Sequence, residues 1–190
     1  MKGLKGLAFR MRGFTPVPFI FVSLWWAETN TYLILSGAII TIFGELIRFQ
    51  SIRYAGGATR TREVGADALV TTGPYAMMRN PLYFANMLIY IGYAIGSGSL
   101  SPYLPLVALV FFSIQYYLII SLEEITLSKL FGDSYAEYCN NVPRLFPKLT
   151  LSIQGKQPSY PVSEAFRQER STLAGIFITW AILFIRMYAL

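Results

Sequence analysis

The sequence predicts an all-α polytopic membrane bundle of about five transmembrane helices. Three observations carry that expectation. Hydrophobic residues make up 54% of the 190-residue chain, charged residues only 14%, and mean hydropathy is +0.46. A soluble domain usually carries about 25% charged residues, and a disordered one is far less hydrophobic. Uncharged stretches recur at Gly13 to Ala27, Thr29 to Gly44, Pro81 to Leu122 and Ser171 to Ile185. Finally, the basic residues collect in connections on one side of those stretches.

The elements follow in order, judged against the roughly 20 apolar residues a spanning helix needs. A first short span is expected near 14–27, with Pro16 and Pro18 blurring its start. A tight turn at Glu28-Thr29-Asn30 leads into a second span near 30–53, which must tolerate Glu45 and Arg48. A polar segment covers 54–81. A third span near 82–98 ends at Gly96-Ser97-Gly98-Ser99, and a fourth covers 102–122 from Pro102 onward. A second long polar segment runs over 123–167, and the last span is expected near 168–188. The whole chain, 1–190, reads as one membrane domain. The N-terminus shows no small-residue cleavage site after a compact apolar core, so no cleaved signal peptide is expected.

Lys2, Lys5, Arg10 and Arg12 precede the first span, and both long segments are rich in Lys and Arg. The short loops 28–31 and 97–101 carry none, and only Arg186 falls on their side. By the positive-inside rule the N-terminus and both long segments face the cytoplasm. That side is the site side of an inner membrane in a bacterium or of the endoplasmic reticulum in a eukaryote. The net charge of +6 reads as attraction to anionic membrane lipids. No nucleic-acid-binding motif is present, and nothing in the sequence sets the oligomeric state. The absence of histidine excludes Ser-His-Asp and Cys-His catalysis, imidazole zinc sites and histidine-ligated haem. The single cysteine, Cys139, reads as inert and leaves no CxxC site; no metal is expected.

The first polar segment carries alternating charge in Thr59-Arg60-Thr61-Arg62-Glu63. It then turns at Gly73-Pro74-Tyr75 and reaches Arg79-Asn80-Pro81, with proline suited to a first helical turn. In the second, Leu122, Ile125, Leu127, Leu130 and Phe131 extend span four as an amphipathic helix until Gly132-Asp133 breaks it. Tyr135, Tyr138 and Val142 mark a second short helix, and Lys148 to Ser163 reads as a linker.

Leu69-Val70, Gly73-Pro74-Tyr75 and Arg79-Asn80-Pro81-Leu82-Tyr83 resemble the first signature of the isoprenylcysteine carboxyl methyltransferase and phospholipid methyltransferase superfamily. Glu123-Glu124, Phe131-Gly132, Tyr135, Tyr138, Val142, Arg144 and Phe146-Pro147 resemble the second. The resemblance covers roughly Thr59 to Lys148. It implies a helical bundle with a cytosolic pocket for S-adenosylmethionine and a lipidic acceptor arriving from the bilayer. The cofactor contacts it implies are Leu69, Val70, Tyr75, Asn80, Pro81, Leu82, Tyr83 and one of Glu123 and Glu124. Two positions depart from the pattern. Asn80 stands where histidine is usual and cannot act as a general base. Leu118, Ile119 and Ile120 occupy the turn where prenylcysteine enzymes carry an arginine.

The resemblance implies methyl transfer to a carboxylate of a prenylated or similar thiol, a phospholipid amine, or a thiol. An NADPH-dependent reductase of the sterol reductase type and a non-catalytic lipid- or partner-binding membrane protein are the alternatives. Glu123, Glu124 and Arg79 are the candidate catalytic residues; the glutamates could also solvate a helix end, and Arg79 could meet a lipid phosphate. Tyr75 and Tyr83 suit stacking on adenine or sulfonium, or an interfacial aromatic belt. Asn86 and Arg144 are candidate substrate contacts, against helix packing and lipid contact respectively. Glu45 and Arg48, three apart on one helix face, are the remaining substrate-binding candidates, against a plain intrahelical pair.

Overall fold

A computed structural model of the chain describes residues 3–56, 68–148 and 158–189. The Thr59–Glu63 charge alternation, Lys2 and Lys156 lie outside them. All regular elements among the described residues are helices, as expected: α1 (Leu4–Met11), α2 (Pro16–Trp25), α3 (Thr31–Ala55), α4 (Pro74–Met77), α5 (Pro81–Ser97), α6 (Tyr103–Asn141) and α7 (Val162–Ala189). Three described helices are long and apolar enough to cross a bilayer, namely Thr31–Ala55, Tyr103–Asn141 and Val162–Tyr188. The 17-residue α5 is shorter at roughly 25 Å. The ten-residue α2 reaches about 15 Å, half a hydrocarbon core.

Each helix boundary has a local cause. Pro16 opens α2 at a position that needs no N–H donor. Asn30 caps α3 by accepting from the Leu33 N–H at 3.0 Å. The turn before it is tied to the end of α5, where the Glu28 N–H donates to Ser97 O and the Thr29 hydroxyl to Gly96 O. Arg186 closes the other end of α2 by donating to the Leu24 and Trp25 carbonyls, where a cation meets a helix C-terminus favourably. Gly132 adopts φ 50° and ψ −124° inside α6, so the helix breaks there as the sequence suggests.

Two boundaries differ from the sequence reading. Residues 4–11 form a helix, to which the sequence reading assigned no element. Phe9, 4% exposed, packs with Met87, Ala108, Phe112, Tyr116, Ile119 and Ile120, so the apolar face of α1 is bound to α6. α7 begins at Val162 rather than near 168, because a helix can carry its charged first turns beyond the apolar stretch that hydropathy detects. Glu164 and Arg167 pair there at 3.0 Å.

α5 packs chiefly against α3, through small residues. A Cβ on Gly37 would strike the Gly92 carbonyl and sit 2.6 Å from Gly96 Cα; one on Gly44 would lie 2.9 Å from Ala85 O. Such backbone approach is how apolar helices gain packing contact inside a bilayer.

Candidate functional site

The two motif segments are laced together. Gly73, at φ 62°, turns the chain into α4, and a Cβ there would strike the Tyr54 ring at 2.6 Å. The stretch from Met77 to Asn80 then runs beside Tyr138 to Lys148. The Arg79 N–H donates to Pro143 O and the Lys148 N–H to Met77 O, both at 2.9 Å. The Asn80 side-chain amide donates to Arg144 O at 2.9 Å, and the Tyr138 hydroxyl to Tyr75 O at 2.7 Å. Leu69 packs on the Tyr135, Tyr138 and Val142 cluster. Pro81 is buried at the start of α5, with Val70 and Leu82 half-buried nearby in sequence.

Adjacent glutamates on a helix point about 100° apart, and Glu123 and Glu124 meet different partners. Glu123 accepts from the Tyr83 hydroxyl at 2.6 Å. The Tyr83 ring packs on Tyr116, centroids 4.9 Å apart. Asn86 and Tyr90 stand beside Tyr116. Glu124 lies between two arginines, 3.0 Å from Arg79 Nη2 and 2.9 Å from Arg144 Nη2. Arg79 also donates to the Cys139 and Val142 carbonyls. Arg144 bonds Ser121 Oγ at 2.8 Å and lies over the Tyr117 ring. Arg79 and Arg144 thus flank Glu124, and the three groups together carry one net positive charge. Burial, with Tyr138 and Glu123 nearby, raises the Tyr75 phenol above the ordinary tyrosine range, so it remains a neutral donor.

Glu45 and Arg48 do not form the intrahelical pair that their spacing allows. Arg48 crosses to α7, where Nε and Nη2 meet the two oxygens of Glu169 at 2.8 and 3.1 Å. Its Nη1 donates to Asn86 Oδ1 at 2.7 Å. Both Glu45 carboxylate oxygens are buried with no hydrogen-bond partner. Asn86 therefore links α5 to Arg48 of α3, close to Tyr116. Two polar groupings result, Tyr83 with Glu123 and Asn86 with Arg48 and Glu169, and the Tyr83–Tyr116 ring contact lies on the first.

Sequence reasoning missed two residues of this network. Glu169 was detectable as an ionisable group at the edge of the last apolar stretch. Arg12 lies over the Phe9 ring at 3.8 Å and within electrostatic reach of Glu123 and Tyr83. Only the α1–α6 packing brings it there, and no sequence signal predicts that. Among the described residues no group of three or more His, Cys, Asp or Glu side chains is placed to hold a metal ion.

The sequence pattern of the phospholipid methyltransferase family matches residues 32–134. The cobalt-zinc-cadmium resistance protein CzcN of Cupriavidus metallidurans is 35% identical over 85 residues, 45% of this chain and 38% of that protein. The nickel-cobalt-cadmium resistance protein NccN of Alcaligenes xylosoxydans xylosoxydans is 36% identical over 83 residues, 44% of this chain and 38% of its own. Protein-S-isoprenylcysteine O-methyltransferase of Xenopus laevis is 28% identical over 134 residues, 62% of this chain and 41% of its own. The chain thus spans about two fifths of these relatives. No solved structure matches it.

Proposed function

The chain belongs to the phospholipid methyltransferase family, and from that premise we propose that it is an S-adenosylmethionine-dependent methyltransferase with a lipidic or small apolar acceptor. The acceptor classes in view are a carboxylate on a lipidated thiol, a phospholipid amine and a thiol. The observation that carries this reading is the 2.6 Å bond from Tyr83 to Glu123, which ties the first motif to the second.

The donor's chemistry suits the side chains gathered there. S-adenosylmethionine supplies a methyl group already bound to a good leaving group, a sulfonium, so positioning dominates catalysis. Glu123, held by Tyr83, is the carboxylate for the donor's ammonium. Arg79 and Arg144, sharing Glu124 and one surplus positive charge, suit the donor's carboxylate. The neutral phenols of Tyr75 and Tyr83 offer ring faces to a cation or an adenine. Leu69, Val70, Pro81 and Leu82 supply apolar wall. Asn80 acts through Arg144, holding the carbonyl of that residue, and has no basic nitrogen with which to take a proton. Glu45, Arg48 and Asn86 lie deeper and belong to the acceptor side.

The excess of basic residues supports a cytoplasmic N-terminus and site. Purified protein given methyl-labelled S-adenosylmethionine and a panel of a prenylcysteine, phosphatidylethanolamine and a long-chain thiol should move label into an organic-soluble product. NADPH oxidation with a sterol, and no label transfer to any acceptor, would overturn the proposal.

A further inference from the structure

Between α3 and α7 lies an apolar cleft of about 480 Å³, inside the roughly 300–1,000 Å³ range of small-molecule sites. Ile34, Ala38 and Thr41 line one wall and Ile176, Trp180 and Phe184 the other. On α3 the positions 34, 38, 41, 45 and 48 step by four and three, the spacing of one helix face. Glu45 therefore stands one turn, about 6 Å, beyond Thr41 on the cleft's own face. On α7, Glu169 shares a face with Ile176 and Trp180 by the same spacing. The bidentate Arg48–Glu169 pair bridges the two helices just past Glu45.

The carboxylate at this end has no donor. Both Glu45 oxygens are buried without a hydrogen bond, while Arg48 gives Nε, Nη1 and Nη2 to Glu169 and Asn86. Burying a carboxyl group without a hydrogen-bond partner is costly, and ionisable groups inside a span mark ligand paths. Glu45 and Glu169 share one guanidinium's field there, so the end of the cleft is rich in acidic oxygen. A chain ending in a carboxylate meets repulsion there; one ending in a cationic N–H donor supplies what Glu45 lacks.

We propose that the α3–α7 cleft is a subsite for one long hydrocarbon chain whose cationic, hydrogen-bond-donating end meets Glu45, and that it selects against carboxylate-ended chains. The subsite rests on the methyl-transfer reading only for the chain's role as acceptor, in which the ammonium first gives one proton to Glu45 and the freed nitrogen lone pair then attacks the methyl group.

The test uses the full-length protein in phosphatidylcholine nanodiscs and a hexadecylamine probe carrying a mid-chain diazirine. Photolabelling is mapped to peptides, and binding of S-adenosylhomocysteine is measured in parallel. Label should concentrate on residues 34–42 and 176–184, and hexadecylamine should compete about tenfold better than hexadecanoate. Glu45→Gln should abolish that preference. Ala38→Trp, and independently Ile176→Trp on the opposite wall, should displace the label while the protein stays monodisperse. Label spread evenly over every lipid-facing helix, or equal competition by amine and acid in the wild type, would overturn the subsite. Failed labelling with nucleoside binding intact refutes the subsite alone. Intact labelling with no nucleoside binding refutes the methyl-transfer reading instead.

Discussion

Replacing Glu169 by alanine strands a buried guanidinium. The Glu169 side chain is fully buried and that of Arg48 is 15% exposed. Two unit charges about 4 Å apart attract by about 4 kcal/mol at an effective dielectric constant near 20. Desolvation offsets much of that attraction, so the intact pair contributes little net stability. Removing one partner is another matter, costing about 3–5 kcal/mol for a buried pair. Glu169→Ala should fall at about 3 kcal/mol, because Arg48 keeps Asn86 and has Glu45 as a substitute partner. Arg48→Ala should also cost about 3–5 kcal/mol, since it removes the guanidinium that bonds both Glu169 and Asn86. Thermal unfolding in one fixed detergent measures both. A chain of this size shifts by about 2–4 °C per kcal/mol, so Glu169→Ala should lower Tm by about 6–12 °C. The double variant Arg48→Met with Glu169→Leu should recover most of the loss. A coupling energy under about 0.5 kcal/mol in the double-mutant cycle would refute the reasoning.

Glu124→Ala leaves Arg79 and Arg144 facing each other; because both are partly exposed, about 2 kcal/mol and 4–8 °C of Tm should be lost in a melt. Tyr138→Phe removes one hydrogen bond to Tyr75 O and should lower Tm by about 2–4 °C, the effect of about 1 kcal/mol. Gly92→Val puts a Cβ 2.6 Å from Thr41 Oγ1 and 2.7 Å from Gly37 O, so size-exclusion chromatography should show loss of monodisperse protein. Gly175→Ala, with open space around it, should be neutral or stabilising by up to about 1 kcal/mol in the same melt. With Cys139 replaced by serine, an impermeant maleimide added outside intact cells should label Tyr32→Cys and spare Leu4→Cys; the reverse pattern would invert the proposed topology.

Local chemistry explains which parts of this arrangement were legible in the sequence. The break at Gly132, the turn at Glu28-Thr29-Asn30 and the start of α5 at Pro81 all follow from residues with narrow backbone preferences. The pairing of Tyr83 with Glu123 was legible because two motifs, each weak alone, sit at the same predicted end of neighbouring helices. Periodicity does not reveal which helix faces which. Arg48 had a suitable partner three residues away in Glu45, and only the antiparallel docking of α7 shows that Glu169 takes it instead. Arg12 and α1 were hidden for a related reason: an eight-residue amphipathic helix gains stability from the surface it lands on, and that surface is formed by residues a hundred positions later. Asn80 looked like a cofactor ligand by its place in the motif. The structure adds its bond to Arg144 O, which ties the motifs together.

Calorimetric titration of the detergent-solubilised full-length protein with S-adenosylhomocysteine, beside NADPH, is the most direct measurement. Saturable binding of the nucleoside and none of NADPH is the expected result, with affinity falling at least about tenfold in Tyr83→Ala or Glu123→Ala. No nucleoside binding, or unchanged affinity in both variants, would contradict a donor site built where the two motifs meet.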